Sequence, residues 1–564
     1  MATTTSYAGG RLRPARWWGV RLSLVARDHG WLLWTTLLSA LLVAQAGRNL
    51  GNFPGISSDD AWIMSASHKL ASEGTFGSDM FRGFANAESH YFIALPVYHL
   101  LQAGLFAAFG TSVAVARVVT LGSAVVALWC IAWLARRWFG PGAAVLATGL
   151  LLIWPDDLLR LSSRLSFLAV SRTGRYDMTG LALLLLALVA LEIARSSERR
   201  LPFFLCGLTG GLAVLTQFFG AFAVPLFVVA LLAGRGRGGI PASAVRWLTA
   251  GWLLVVAPYA LYVLAHWADF KGQSELKTGR IEFGDPGFYL DNVADEPDRY
   301  LPLFDHLSLA LDGRYDRLNA PLAPAIFGVF ALLALAYLTT RLARDPTPGE
   351  RQLALSIGVF ALCLMALDGT NAPLYALPLL PLLCIAIAAF VARAIERGMR
   401  PGPLALRLAA LALVLVPLGV VAREGGAAHR QERHWSRIIV DYDAAAGQID
   451  GLLPAGEPVA GIERWWAGLH EGHDYLSLTA VTLQLDATTG SWTAADLDAL
   501  LRRYGIAAMI IDGDARGLLS RLPPGQREVF NDYIRDYTRH AGTLDIHPYG
   551  QIDVYVVASA APGP

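Results

Sequence analysis

Two adjacent carboxylates, Asp59 and Asp60, stand in the run Gly55-Ile56-Ser57-Ser58-Asp59-Asp60-Ala61-Trp62, a short distance beyond an apolar stretch from Trp31 to Ala46. Carboxylates beside a bilayer are costly to desolvate, so a pair of them is a candidate for general acid–base chemistry. The same residues also suit a helix start, because Asp after Ser-Ser is a good N-terminal cap. A second group follows in Ser171-Arg172-Thr173-Gly174-Arg175-Tyr176-Asp177. Arg172 and Arg175 can hold a phosphate bidentately or anchor at lipid headgroups. Further polar residues flank other apolar runs: His90 and His99, His266 and Lys271, and Asp368, Asn371 and Tyr375. A carboxylate that deprotonates an acceptor hydroxyl, next to arginines that hold a phosphate leaving group, suits transfer from a lipid-linked phosphosugar. His90 and His99 read as interfacial polar residues more readily than as ligands. Trp465-Trp466 with His470 and His473 can stack a sugar or fill a small core. His470, His473 and Asp474 have a spacing that a metal tolerates, but the spacing is undemanding and no metal is assigned.

The elements that must position these residues are membrane helices. The chain has 564 residues, 54% of them hydrophobic and 16% charged, against about 25% charged in soluble chains. Mean hydropathy is +0.44. The formal net charge of +1 gives no strong basic field to neutralise phosphates, which argues against nucleic acid as a partner. Cys130, Cys206, Cys363 and Cys384 all lie in apolar runs and read as small core residues.

After Trp31–Ala46, apolar runs lie at 112–134, 141–155, 178–194, 202–219, 220–233, 247–265, 321–340, 352–367, 373–392 and 403–421. With Arg11, Arg13, Arg16, Arg21 and Arg27 in the cytoplasm, alternate connections carry Arg136-Arg137, Arg195 with Arg199-Arg200, Arg235 with Arg237, Arg341 with Arg344, and Arg393, Arg397 and Arg400. All of these then fall on the cytoplasmic side. Counting residues 91–110 as a span would reverse the later helices, so that stretch is assigned to an amphipathic or re-entrant helix at the outer interface. Ala44-Gln45-Ala46 resembles a signal-peptidase site, but the preceding Arg-rich region is long, and the run is read as a retained first helix. The expected fold is a polytopic α-helical membrane protein of about eleven spans with a C-terminal extracytoplasmic α/β domain. Its parts are a cytoplasmic segment 1–29, a membrane domain 30–421 and a soluble domain 422–564. The long outer segments 48–111, 156–177 and 266–320 hold Lys69, Lys271 and Lys277. In the soluble part, residues 458–462, 507–512 and 551–557 read as buried strands, and 494–504 and 526–540 as amphipathic helices.

The order of these segments resembles the GT-C superfamily of polytopic glycosyltransferases, in particular the aminoarabinose transferases and protein O-mannosyltransferases. The residues that carry the resemblance are Asp59-Asp60-Ala61-Trp62 in the first outer loop, then Pro96-Val97-Tyr98, Phe109-Gly110 and Arg117. It continues through Arg175-Tyr176-Asp177 and Pro373-Leu374-Tyr375-Ala376-Leu377-Pro378-Leu379-Leu380-Pro381, covering roughly residues 28–400. The resemblance implies an inverting glycosyltransferase in the plasma or inner membrane. It would move one sugar from a polyprenyl-phosphate donor to a lipid, polysaccharide or protein acceptor outside the cytoplasm. Asp59 would be the base, with Asp60 beside it. Asp177 would be a second acid of the cavity and Tyr375 a tyrosine near the lipid phosphate. His90, Arg172, Arg175, His266 and Lys271 complete the expected substrate-binding set. Two departures stand out: His90 precedes Tyr-Phe where the family often has a Lys-Pro or His-Pro step, and Asp368-Gly-Thr-Asn371 stands where a lysine precedes Tyr375. No cofactor is required by this reading, and a divalent metal is compatible with it but not indicated. The alternative class is a transporter or flippase of lipid-linked sugars, whose polar sites would lie in broken helices near the bilayer midplane.

Overall fold

In the computed structural model of the chain, the described residues are 14–153, 166–197, 199–233, 242–274, 285–301, 323–398, 403–489 and 492–558. Arg11, Arg13, Arg235, Arg237, Lys277 and Arg400 lie outside them, as do residues 156–165 of segment 156–177 and much of 266–320.

A helix forms on each of the eleven apolar runs. The first are α1 (Pro14–Ala46), α4 (Val113–Phe139), α5 (Pro141–Ile153), α7 (Asp177–Ser197), α8 (Arg200–Val214), α9 (Ala223–Ala233) and α10 (Ala242–Ala265). Four more follow at Ala323–Leu342, Pro348–Leu367, Leu379–Gly398 and Leu404–Ile438. Six of the described helices are long and apolar enough to cross a membrane: Val113–Phe139, Asp177–Ser197, Ala244–Ala265, Ala323–Leu342, Pro348–Leu367 and Leu379–Glu396. Pro141–Ile153, Arg200–Val214 and Phe218–Ala230 are shorter apolar helices. The segment expected to span from residue 373 begins instead as a single 3₁₀ turn, Pro373–Ala376, with the helix starting at Leu379, because prolines at 373, 378 and 381 remove donors from any earlier start.

Between α1 and α4 the segment expected as the first outer loop folds into two helices. α2 (Ser58–Glu73) is fixed at both ends. Ser57 and Asp60 form a reciprocal capping box, and Gly74 at φ +71° closes the helix in the left-handed region. α3 (Pro96–Phe109) covers the stretch that was expected to lie at the interface. It buries Val97, Tyr98, His99, Gln102, Ala103 and Phe106 and exposes Leu100, Leu101 and Phe109. A four-residue helix α6 (Phe167–Val170) precedes the arginine-bearing loop, and α11 (Trp267–Ser274) and α12 (Pro286–Tyr300) follow α10.

The helix Leu404–Ile438 runs without a break through residue 422. The change from apolar to soluble composition therefore falls inside one helix rather than at a linker. Beyond it stands a five-stranded sheet of order β2-β1-β3-β5-β4, with β1 (Val459–Gly461), β2 (Tyr475–Ser477), β3 (Ala508–Ile511), β4 (Thr538–Ile546) and β5 (Gly550–Val557). β1 pairs parallel with β2 and β3, and β5 pairs antiparallel with β3 and β4. The three parallel strands are wholly buried, as strands covered on both faces must be.

The cores are divided unexpectedly. One apolar cluster unites the membrane helices. A second joins Ile56, Ala61, Met64, Phe81 and Tyr91 of the first outer loop to Tyr442, Trp465, Leu476, Met509 and Val554 of the C-terminal part. The C-terminal sheet is thus built onto the loop that carries the acidic pair.

Candidate active site

The two carboxylates of the pair have different fates. Asp60, at the third helical position, turns inward and is 1% exposed. One of its oxygens accepts from Arg117 Nη2 at 2.8 Å and the other from the Gly174 amide at 2.9 Å. Arg117 is itself fully buried and also donates to the carbonyls of Leu50 and Pro54. Asp60 therefore ties the chain before α2, helix α4 and the loop before α7 into one knot. The buried charge is tolerable because every side of it is met by a donor.

Asp59, one residue earlier, points the other way, and its side chain is 44% exposed. It forms an ion pair with Arg175 Nη1. The same guanidinium donates through Nε to Asp177 Oδ2 at 2.8 Å, and Asp177 Oδ1 accepts from Gln217 Nε2 at 2.7 Å. Burial works against the charge on Arg175, but Asp177 and Asp59 outweigh it and hold the group well above its ordinary range. Thr120 Oγ1 donates to the Arg175 carbonyl, and Tyr98 meets Thr120 at 3.0 Å. The row Asp59–Arg175–Asp177–Gln217 thus runs from a fully packed end to one exposed carboxylate. Phe218, next to Gln217, sets its ring perpendicular to Tyr375 at 4.8 Å. That brings the tyrosine from a distant segment to the same place. The loop bearing Tyr375 is fixed by Arg299 of α12, fully buried between Glu296, Asp368 and Asn371.

A second cluster gathers His90, His266 and Asp269. The two imidazoles stack at 3.6 Å, and His90 Nδ1 meets Asp269 Oδ2 at 2.7 Å. One donor atom from each of the three lies within 4.8 Å of the others. Two imidazoles and a carboxylate are a donor set that zinc or another divalent transition metal accepts. Asn86 Nδ2 also donates to Asp269. Burial pushes Asp269 up, but the hydrogen bonds from Asn86 and His90 prevail and hold it below the ordinary carboxylate range. Gln273, fully buried, binds the loop to α11: it donates to the carbonyls of Ala85 and His90 and accepts from the Phe92 amide. Lys271 is exposed on the same helix.

Not every expected site residue joins these clusters. Arg172 is 1% exposed, donates to the Arg48 carbonyl at 2.8 Å and lies over the Phe53 ring. Its guanidinium is used inside the fold, away from a substrate surface. His99, expected at an interface, is fully buried against Ser67 Oγ. The residues considered for metal in the C-terminal part are dispersed: His473 meets Asp450 and the Glu457 carbonyl, Asp474 pairs with Arg82, and His470 stacks on Trp466. Trp465 donates to Asp512 inside the core, so that indole fills the domain and does not offer a sugar platform. Gln217 and Asp269 were not singled out from the sequence. A lone glutamine inside an apolar run is the signal that marks Gln217. Asp269 carries only the i, i+3 relation to His266 across a helix break.

With this geometry described, known proteins give a consistent picture of the fold. Residues 94–262 match the family described as dolichyl-phosphate-mannose-protein mannosyltransferase. That region includes Arg117, Arg175, Asp177 and Gln217 and begins after the acidic pair. Among solved structures, ArnT from Cupriavidus metallidurans bound to undecaprenyl phosphate superposes with a TM-score of 0.56 at 15% identity, covering 95% of this chain and 99% of that one. The Archaeoglobus fulgidus oligosaccharyltransferase tethered to an acceptor peptide gives 0.58 at 11% identity, covering 95% and 75%. The archaeal oligosaccharyltransferase AglB from the same organism, in complex with an inhibitory peptide and a dolichol-phosphate, gives 0.51 at 12% identity over the same shares. No curated protein sequence matches the chain. These comparisons bear out the resemblance to the GT-C glycosyltransferases at the level of the fold.

Proposed function

We propose that the chain is an inverting membrane glycosyltransferase that transfers a single sugar from a polyprenyl-phosphate donor to an acceptor outside the cytoplasm, with Asp59 as the general base. The observation that carries this reading is the split of the acidic pair. One carboxylate is locked into the fold, and its neighbour is presented, half exposed, at the end of a packed charged row. Fold neighbours bound to undecaprenyl phosphate and to a dolichol-phosphate support the class of donor. In this scheme Asp59 takes the proton of an acceptor hydroxyl as that oxygen forms a bond to the anomeric carbon from the face opposite the phosphate. The bond from that carbon to the phosphate oxygen breaks, and polyprenyl phosphate leaves with the electron pair. Arg175 uses Nε and Nη1 on the two carboxylates, which leaves Nη2 to meet a phosphate oxygen. The arginine then serves as a bridge between base and leaving group rather than as a bidentate clamp. Lys271 and Tyr375 are the further phosphate contacts of the proposal. His90 and His266 belong to the candidate metal cluster with Asp269. Asp60 is a positioning residue, since it touches only protein groups.

The arginine sorting puts the N-terminus in the cytoplasm and the C-terminal sheet outside, in a multi-pass plasma or inner membrane protein. The test is transfer by purified protein from a panel of radiolabelled polyprenyl-phosphate sugars to lipid, polysaccharide and peptide acceptors. Labelled acceptor is the expected product. Translocation of the lipid-linked sugar across liposomes without any transfer would replace the enzyme reading with a transporter.

A further inference from the structure

The strand hairpin β4–β5 turns at residues 547–549, and this turn reaches out of the C-terminal sheet to the first outer loop. The Ile56 amide donates to Tyr549 Oη at 3.2 Å. Ile56 is 2% exposed and immediately precedes Ser57, the cap of α2, so this bond fixes the chain three residues before Asp59. Gly55 is equally close: a Cβ there would meet Pro548 Cγ at 3.1 Å and Tyr549 Cε1 at 3.4 Å. Tyr549 has little freedom of its own. Its ring packs against Trp465 at 4.9 Å and Tyr442 at 6.3 Å, with the Arg464 guanidinium over it.

The flank of α2 is also covered from the C-terminal side, because His68 lies against Trp466 and His470. At the far edge of the loop, Arg82 pairs with Asp474 at 2.7 Å and its carbonyl accepts from Gln484. Two further contacts close the seam: Asn52 donates to Asp441 and accepts from the Tyr442 amide. One core runs through both parts. The start of α2 is thus held from below by Asp60 and Arg117 and from outside by the hairpin turn.

We propose that the C-terminal domain is a positioning element of the active site, and that Tyr549, through the Ile56 amide, sets the direction in which Asp59 leaves the start of α2. This rests on Asp59 being the base. A carboxylate whose aim is off by a fraction of an ångström loses rate while substrate binding persists, because orientation matters most in the transition state.

The experiment is sugar transfer by the full-length chain carrying Tyr549→Phe, Asp59→Asn, or both, with thermal unfolding measured alongside. Tyr549→Phe keeps the ring in its pocket and removes the oxygen. Its kcat should fall about tenfold while the donor KM stays within about twofold. In the Asp59→Asn background the same change should have no effect on the residual rate, since a device that acts through Asp59 has nothing left to aim. Should Tyr549→Phe fold poorly, Gly55→Ala pushes on the same contact from the loop side, and the same kcat-only loss is expected. Wild-type kcat in Tyr549→Phe, or an equal loss in both backgrounds, would overturn the proposal. A wild-type rate in Asp59→Asn would instead overturn the base assignment, so the two failures read differently.

Discussion

Asp59 and Asp60 share a residue type and a neighbourhood, and what separates them is the helical register. A residue at the third position of a capped helix turns back onto its own cap, so Asp60 meets Ser57, Arg117 and Gly174, while Asp59 projects outward to Arg175. From sequence the pair reads as either a cap or a catalytic group; the structure gives the cap to Asp60 and leaves Asp59, the base of the proposal, paired with Arg175. Asp60→Ala should therefore act on stability: it leaves the buried Arg117 unpaired, a change that typically costs about 3–5 kcal/mol. A melting temperature within a degree of wild type would show that the knot is not structural. Glu463 gives a second test at this scale. It is 3% exposed beside Ser477, and burial holds its pKa above the ordinary carboxylate value. The folded state then binds the proton more tightly than the unfolded state, so this residue's contribution to stability is present at acid pH and is lost as pH rises through the raised pKa. Glu463→Gln keeps the acceptor for Ser477 and removes the charge. It should raise the melting temperature at pH 8 and leave it nearly unchanged at pH 4. An equal shift at both values would contradict the assignment.

Among the elements, those with strong periodicity or strong apolar character could be read directly. The strands near 459, 508 and 551 and the helices near 494 and 526 form close to their expected bounds, whereas a helix forms on every apolar run but the ends of several differ, the last running on to Ile438. β2 is only Tyr475–Ser477, too short for an alternation to show, and β4 at the sheet edge buries only its last residue, so neither carries a hydrophobic signature. The cluster of His90, His266 and Asp269 is hidden for another reason. Its members belong to a loop after α2, to the turn that follows α10 and to α11, and only the fold, held by Gln273, brings His90 to the other two. A prediction follows at this scale: zinc added to metal-stripped protein should bind one equivalent and raise the melting temperature, and both effects should vanish in His266→Ala. Equal binding by wild type and His266→Ala would place the ion elsewhere.

At the scale of the whole molecule, the sequence divides into a membrane part and a soluble part, yet the cores do not follow that division. The first outer loop packs with the C-terminal sheet, because Ile56, Met64 and Phe81 find their apolar partners there. Composition alone could not reveal this, since contacts between distant segments leave no local trace. The arginines give an expected sidedness, which cysteine labelling tests. Cysteines introduced at Ser58 and at His470 should both react with an impermeant thiol reagent added outside, and one at Arg136 or Arg199 should not. Outside labelling of Arg136→Cys would reverse the orientation. The central claim, that the exposed carboxylate of the pair is the base of a sugar transfer, is tested most directly by one measurement: the rate of transfer from a radiolabelled polyprenyl-phosphate sugar by purified Asp59→Asn. The account predicts a loss of about 10²–10⁴-fold, with donor affinity and melting temperature as in wild type; transfer at the wild-type rate would contradict it.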